Sequence, residues 1–311
     1  MSSYKYIFFF SFFLFSCEKN NSIFLESNAP ISVSLCDGSM LKSSISVVSF
    51  NRLSNTSLNS VVKLIENVNP DIIALQESYD IGLEVADRFS YCFYGNPESS
   101  TAILSKYVIE GIDDSYSRII LNDSIYLNMF NVHLPAYPYQ PYDIRDRLIT
   151  TESQAIYQAE QARGVELMTL SSSIIDVKNH NNMPIIVAGD FNEPSHLDWI
   201  SGAENPIYFQ IDTMEFVVDW PASNQISQLG LNDTYRVLYP DPIVNPGYTW
   251  TPNHSVDEVH DRIDFIYYNQ DNDFINLESV HIIGPDNLSN IVIENYESDH
   301  RALLSVFNIT L

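Results

Sequence analysis

The spacing of apolar residues changes period several times along this chain. "SISVVSFN" (44–51) alternates and then runs apolar, which predicts a strand ending in Asn51. In "TSLNSVVKLIENVNPD" (56–71), Leu58, Val61, Val62 and Ile65 fall at helical spacing, and Pro70 stops the predicted helix. "DIIALQE" (71–77) reads as the next strand and closes on Glu77; "STAILSK" (100–106) and "IYLNMFNVHL" (125–134) read as two more, the latter carrying His133. From Thr151 to about Lys178 the apolar positions return to helical spacing. "PIIVAGD" (184–190) restores the pattern of a buried strand, and later strands are predicted at "YTW" (248–250), "RIDFIYY" (262–268) and "RALLSVF" (301–307). Strands and helices interleave, so the class is α/β, and without an internal repeat or a second linker one domain from about residue 44 to 311 is favoured.

Composition narrows the partners. The 311 residues suffice for one sizeable core, and 45% hydrophobic content marks a globular chain. Only 15 Lys and Arg stand against 40 Asp and Glu, a formal charge of −25, and such a surface repels polyanions. That argues against a protein gripping long DNA or RNA through a basic face, although a metal site could hold one phosphate locally. At the start of the chain, Lys5 precedes an apolar run from Ile7 to Phe15, too short for a comfortable membrane span and about right for a signal-peptide core. Leu14, Phe15, Ser16 and Cys17 resemble the lipobox of bacterial lipoproteins, with Phe15 bulkier than the usual residue there. The resemblance implies a signal peptide over 1–16, a lipid on Cys17 that anchors the protein to a membrane, and an extracytoplasmic location in the periplasm or at the cell surface. An ordinary secretory signal with a chance cysteine is the alternative. Residues 17–43 read as a polar tether with room for a short strand, and Cys36 and Cys92 either pair in an oxidising compartment or stand as two buried thiols.

The polar residues at the strand ends carry the chemistry. Asn51, Glu77, His133, Asp190 and Asn192 fall at or just beyond the ends of predicted strands, and "RIDFIYY" and "ESDHRALL" add Asp264, Asp299 and His300. Any one of them has a bland explanation, as a turn cap or a structural histidine. Eight together at the loops of an α/β domain mark a site, because that is where such folds place their chemistry.

Their order resembles the endonuclease/exonuclease/phosphatase family, which includes pancreatic-type deoxyribonuclease, abasic-site endonucleases, bacterial sphingomyelinases and inositol polyphosphate 5-phosphatases. "SFN", "LQE", "NVHL", "GDFN", "RIDFI" and "SDH" occur in the family's order and spacing over nearly the whole domain. The resemblance implies a four-layer sandwich, two mixed sheets face to face with helices outside, and a site along one edge. It further implies a phosphoric ester hydrolase that uses Mg²⁺ or Mn²⁺, held by Glu77 with Asn51 and Asp299 close by. His300 paired with Asp264 is then an acid–base couple, Asp190 orients or deprotonates water or holds a second metal, and Asn192 and His133 donate to the phosphoryl oxygens. A divalent cation, a base and donors to the leaving oxygen are what phosphoester hydrolysis in water requires.

The loops set the substrate. "PAYPYQPYDIRDRL" (135–148) follows His133 and offers either an aromatic wall with Arg145 as a cation for substrate, or a rigid loop whose arginines pair with Asp143 and Asp146. Trp250 is a candidate stacking residue, while His196, Asp198, His254 and His260 read as turn and loop groups. Three functions follow in order: a monomeric, lipid-anchored phosphoesterase acting on a small, lipid- or glycan-linked phosphoester; a secreted nuclease, disfavoured by the scarcity of Lys and Arg; and a binding module on the same scaffold, disfavoured because none of the eight positions is eroded.

Overall fold

The structure, a computed structural model, describes residues 30–33, 36, 38, 41–113, 116–255 and 257–310. The proposed signal peptide and Cys17 lie outside the described residues. The short strand β1 (Ile31–Val33) precedes the predicted β2 (Ser44–Asn51), from which α1 (Asn59–Val68) crosses over to β3 (Ile72–Gln76), parallel to β2. Val61, Leu64 and Ile65 bury one stripe of α1, and left-handed Asn69 (φ 51°) ends the helix just before Pro70. Next come α2 (Tyr79–Phe89), β4 (Cys92–Gly95), β5 (Thr101–Ser105) and the hairpin of β6 (Val108–Asp113) with β7 (Tyr116–Ile120). β8 (Tyr126–His133) leads through α3 (Gln140–Arg145) and the long α4 (Glu152–His180) to a parallel partner, β9 (Ile185–Asp190). α5 (Glu204–Tyr208), α6 (Pro221–Gln228), β10 (Asn232–Asp233) and α7 (Thr234–Leu238) precede β11 (Asp264–Tyr268), β12 (Ile275–Gly284), β13 (Ile291–Val292) and β14 (Ala302–Ile309).

Two mixed sheets result, one ordered β1-β4-β5-β3-β2-β14-β12-β13 and the other β10-β11-β9-β8-β7-β6. Between them lies a core that includes Val47, Ile72 and Ile103 from the first sheet and Leu127, Met129, Ile186 and Ile266 from the second. Outside the first sheet α1 and α2 cover Phe50, Ile73 and Leu75, and outside the second α4 and α6 cover Phe130, Val187 and Phe265. This is the expected four-layer α/β sandwich.

Register builds the site. The parallel pairs set Asn51 beside Gln76 and His133 beside Asp190, while antiparallel β11 sets its first residue, Asp264, opposite Asp190. Gly189 makes the close pairing of β8 and β9 possible: a Cβ there would meet the Val132 carbonyl oxygen at 2.0 Å, and its φ is +150°.

Two expectations change. "YTW" forms isolated bridges from Trp250 to Asp261 and His300 instead of a strand, because Thr249 and Trp250 spend their backbone N–H groups on a single residue, Asp261. The short strand within the presumed tether is integral to the first sheet: β1 pairs with β4, and a Cys36–Cys92 disulfide closes the connection.

Candidate active site

Seven of the eight strand-end residues line one cleft, and Asp264 stands immediately behind His300. Asp190 is central and fully buried. Its Oδ1 accepts from the Asn192 backbone N–H (2.8 Å), and its Oδ2 from the side-chain amides of Asn51 (3.0 Å) and Asn192 (3.2 Å). The same Oδ2 lies 3.7 Å from His133 Nε2 and 3.8 Å from His300 Nε2, so two imidazoles converge on one carboxylate oxygen.

Glu77 follows β3 in the left-handed conformation (φ 53°), which is uncommon for a residue of this kind. Arg52, buried beneath it, donates from Nε to the Glu77 carbonyl at 2.8 Å and holds that turn. The carboxylate then meets the Ser54 backbone N–H at 2.5 Å and the Asn51 amide at 3.4 Å. Burial alone would raise its pKa, but the Ser54 and Asn51 hydrogen bonds outweigh that, and Glu77 is held ionised below the usual carboxylate range.

Ser298 of "SDH" joins the ends of two strands: its hydroxyl donates to the Asn51 carbonyl (2.6 Å) and accepts from the His300 N–H (3.0 Å). His300 Nδ1 pairs with Asp264 Oδ2 at 2.9 Å, and Thr249 Oγ1 accepts from the Asp264 N–H at 3.1 Å. Burial opposes charge on His300, but the Asp264 and Asp190 carboxylates prevail and push its pKa up to about 10, which favours the imidazolium form.

Asp190, Asp264 and His300 place ligand atoms within 4.8 Å of one another. His300 Nδ1 is committed to Asp264, however, which leaves that atom unavailable to an ion. The other side of the cleft suits a hard cation better. Asp299 Oδ1 is buried without a hydrogen-bond partner, and burial raises the pKa of this carboxyl, with Glu77 and Asp190 adding to the rise. Together with Glu77 it offers carboxylate oxygens of the kind that hard divalent cations take, while Asn51 stands beside them with its Oδ1 accepting from the Leu53 N–H (3.1 Å) and its amide turned to Glu77 and Asp190.

The candidate substrate residues divide. Trp250 lines the cleft, with its ring 4.9 Å from that of His300 and its Nε1 donating to the Tyr142 hydroxyl (3.0 Å). Arg145 does not line it: its guanidinium pairs with Asp146 (2.8 Å), donates to the Asp257 carbonyl and lies over the Tyr142 ring at 4.7 Å, because the last turn of α3 points it away from the cleft. Asn192 cannot spare its amide for a phosphoryl oxygen, since both N–H bonds are engaged by Leu134 O and Asp190. Among the loop groups, Asp198 takes Arg236 and Arg262, and His196, His254 and His260 bond to Ser223, Asp286 and Thr251.

Sequence reasoning missed the supporting residues. Ser100 Oγ is 3.1 Å from His133 Nδ1. Tyr137, Tyr139 and Tyr142 form the aromatic side of the cleft, and Asp261 accepts from Tyr139 (2.7 Å), Trp199 (2.7 Å) and Asn205 (2.9 Å) behind it. The tyrosines were at least signalled by the Pro- and Tyr-rich composition of their loop; nothing local marks Ser100 or Asp261.

Two facing mixed sheets with carboxylates and imidazoles gathered at adjoining strand ends define a phosphoesterase-like sandwich. Residues 48–300 match the profile of the Endonuclease/Exonuclease/phosphatase family, and the chain belongs to that family of phosphoester hydrolases. A Caenorhabditis elegans relative, uncharacterized protein F14F9.5, is 30% identical over 230 residues, 67% of this chain and 71% of its own. Among solved structures, the chain is similar to D. rerio TDP2 complexed with single strand DNA product (TM-score 0.51, 16% identity, 86% of this chain and 100% of that one). It is also similar to the 3′ phosphatase NExo from Neisseria bound to product DNA hairpin (TM-score 0.53, 15% identity, 84% and 98%). At these identities the likeness is one of fold.

Proposed function

We propose that the protein is an extracytoplasmic, divalent-metal-dependent phosphoesterase that hydrolyses a small, lipid- or glycan-linked phosphoester. The observation that carries this reading is the convergence of His133 and His300 on Asp190 Oδ2, beside a separate oxygen donor set. Glu77 and Asp299, with Asn51, would hold Mg²⁺ or Mn²⁺, which supplies positive charge to a phosphoryl oxygen. Asp190, fixed by three amide donors, orients the attacking water and receives its proton. His300, kept cationic by Asp264, donates from Nε2 to a phosphoryl or leaving oxygen. His133 gives a second donor from Nε2 when the Ser100 hydroxyl donates to its Nδ1. Asn192 serves by orienting Asp190.

Three observations support the location: the apolar run before Cys17, the lipobox-like sequence, and a disulfide of a kind that persists in oxidising compartments. Metabolic labelling with a radioactive fatty acid, lost on Cys17→Ser, tests the anchor.

The catalytic reading is tested with the chain from residue 18 onward on bis(p-nitrophenyl) phosphate and p-nitrophenyl phosphate, with Mg²⁺, Mn²⁺ or EDTA, beside His300→Ala. Metal-dependent release that the variant loses supports it; release unaffected by either change overturns the site assignment. Nuclease action is the second reading, favoured by the DNA products in the two similar structures. The −25 charge weighs against long nucleic acid, and DNA hydrolysis that falls steeply with salt would restore it.

A further inference from the structure

We infer that the cleft takes a phosphodiester bearing an uncharged ring, packed between Tyr137 and Trp250, in preference to a terminal phosphomonoester. This rests on the phosphoesterase reading and decides between bond types that the catalytic residues alone leave open.

Charge is the first argument. Among the described residues, no Lys or Arg lines the cleft, whereas Glu77, Asp190 and Asp299 do. The nearest cations are spent elsewhere. Arg52 is 2% exposed and bonds the carbonyls of Glu77, Thr56 and Ser54, and Arg163 is equally buried under the loop, bonded to Gln140 and the Pro138 carbonyl. Arg145 lies behind Tyr142. A monoester dianion brings about one more negative charge than a diester, and only the two imidazoles and a bound cation stand ready to meet it.

The aromatic side gives the second argument, because behind the exposed Tyr137 its polar groups are consumed internally. The Tyr139 hydroxyl donates to Asp261 (2.7 Å), the Tyr142 hydroxyl donates to Glu258 (2.6 Å), and Trp250 Nε1 donates to Tyr142. Arg145 occupies one face of Tyr142, which makes that ring a support. What the wall offers a ligand is therefore ring surface. Tyr137, 76% exposed, stands at its mouth with Ala136 and Ile263 as apolar neighbours in the cleft. Asp261 and Arg163 hold this loop from behind, so the surface is formed before a ligand arrives.

The test is equilibrium binding by isothermal titration of the chain from residue 18, with Mg²⁺ present, using diphenyl, dimethyl and phenyl phosphate, and phosphorus NMR to verify that each ligand stays intact. Diphenyl phosphate is expected to bind about tenfold more tightly than either other ligand, and Tyr137→Ala, a surface change, to abolish that advantage without moving dimethyl phosphate. Equal binding of the two diesters, tightest binding of phenyl phosphate, or indifference to Tyr137→Ala would each overturn the inference. Because binding is read directly, this order decides the matter even if no ester is hydrolysed, an outcome that would instead sink the catalytic reading. Turnover of the p-nitrophenyl diesters of thymidine 5′-phosphate and of inositol phosphate, against methyl p-nitrophenyl phosphate, distinguishes a nucleobase from a cyclitol as the source of the ring. The ester with the larger kcat/KM names the source, and the binding order with Tyr137→Ala alone decides the ring subsite.

Discussion

The two sides of the cleft are built on opposite principles. On the floor, strand register delivers carboxylates and imidazoles that keep polar atoms without a close hydrogen bond, among them the Nε2 atoms of His133 and His300, 3.7 and 3.8 Å from Asp190 Oδ2, and the buried, unpartnered Oδ1 of Asp299. On the aromatic wall, nearly every polar atom is consumed by a neighbour, through Asp261, Glu258 and Tyr142. One side keeps its polar capacity for the substrate; the other spends it on its own rigidity. The floor comes from strand ends and the wall chiefly from the loop that carries Tyr137, Tyr139 and Tyr142, and the two meet where Trp250 lies against His300.

Substitutions can break that contrast. The largest effect is expected on the floor: Asp190→Ala or His300→Ala should each lower kcat by roughly two to four orders of magnitude, with circular dichroism unchanged. If wall variants cost as much in kcat, the division of labour is wrong. Gly189→Ala attacks the floor's foundation, since the new Cβ meets the Val132 backbone; a stability loss of about 3 kcal/mol in urea unfolding is expected.

The wall's foundation gives a pH signature. Burial raises the Asp261 carboxyl to about 6, against hydrogen bonds from Trp199, Tyr139 and Asn205 that favour its ionised form. A carboxyl whose folded pKa lies above its unfolded value binds its proton more tightly in the folded state. The stability so gained is full below about pH 4 and is lost as pH rises through about 6. Asp261→Asn should flatten the stability curve over this window, read by chemical unfolding from pH 4 to pH 8. A parallel curve would mean that Asp261 is ionised throughout. The smallest effect belongs to Trp250→Phe, which keeps the ring face and loses the bond to Tyr142: a few-fold rise in KM at unchanged kcat, read from steady-state kinetics.

The floor was legible in the sequence because its residues sit where an apolar period ends, and such ends converge once strands pair in register. Asn51 and Glu77 are 26 residues apart and Asn51 and Asp190 are 139, yet each stands at the close of a recognisable strand. The wall was legible only as a composition. Which way Arg145 points depends on the last turn of a six-residue helix, and Asp261 depends on Tyr139, 122 positions away, with no periodicity to link them. β12 escaped detection for a related reason: "INLESVHIIG" is half polar on its exposed first stretch and shows only a short buried run.

The Cys36–Cys92 bond has a mechanical consequence. Strand β1 is only three residues long, and its ladder to β4 runs only from Ile31 opposite Gly95 to Val33 opposite Phe93. With Cys36 joined to the first residue of β4, tension arriving from the residue 30 side passes covalently into the sheet, and unzipping from that end halts at the crosslink. A pull on the leading segment therefore loads β4 and its neighbour β5 directly.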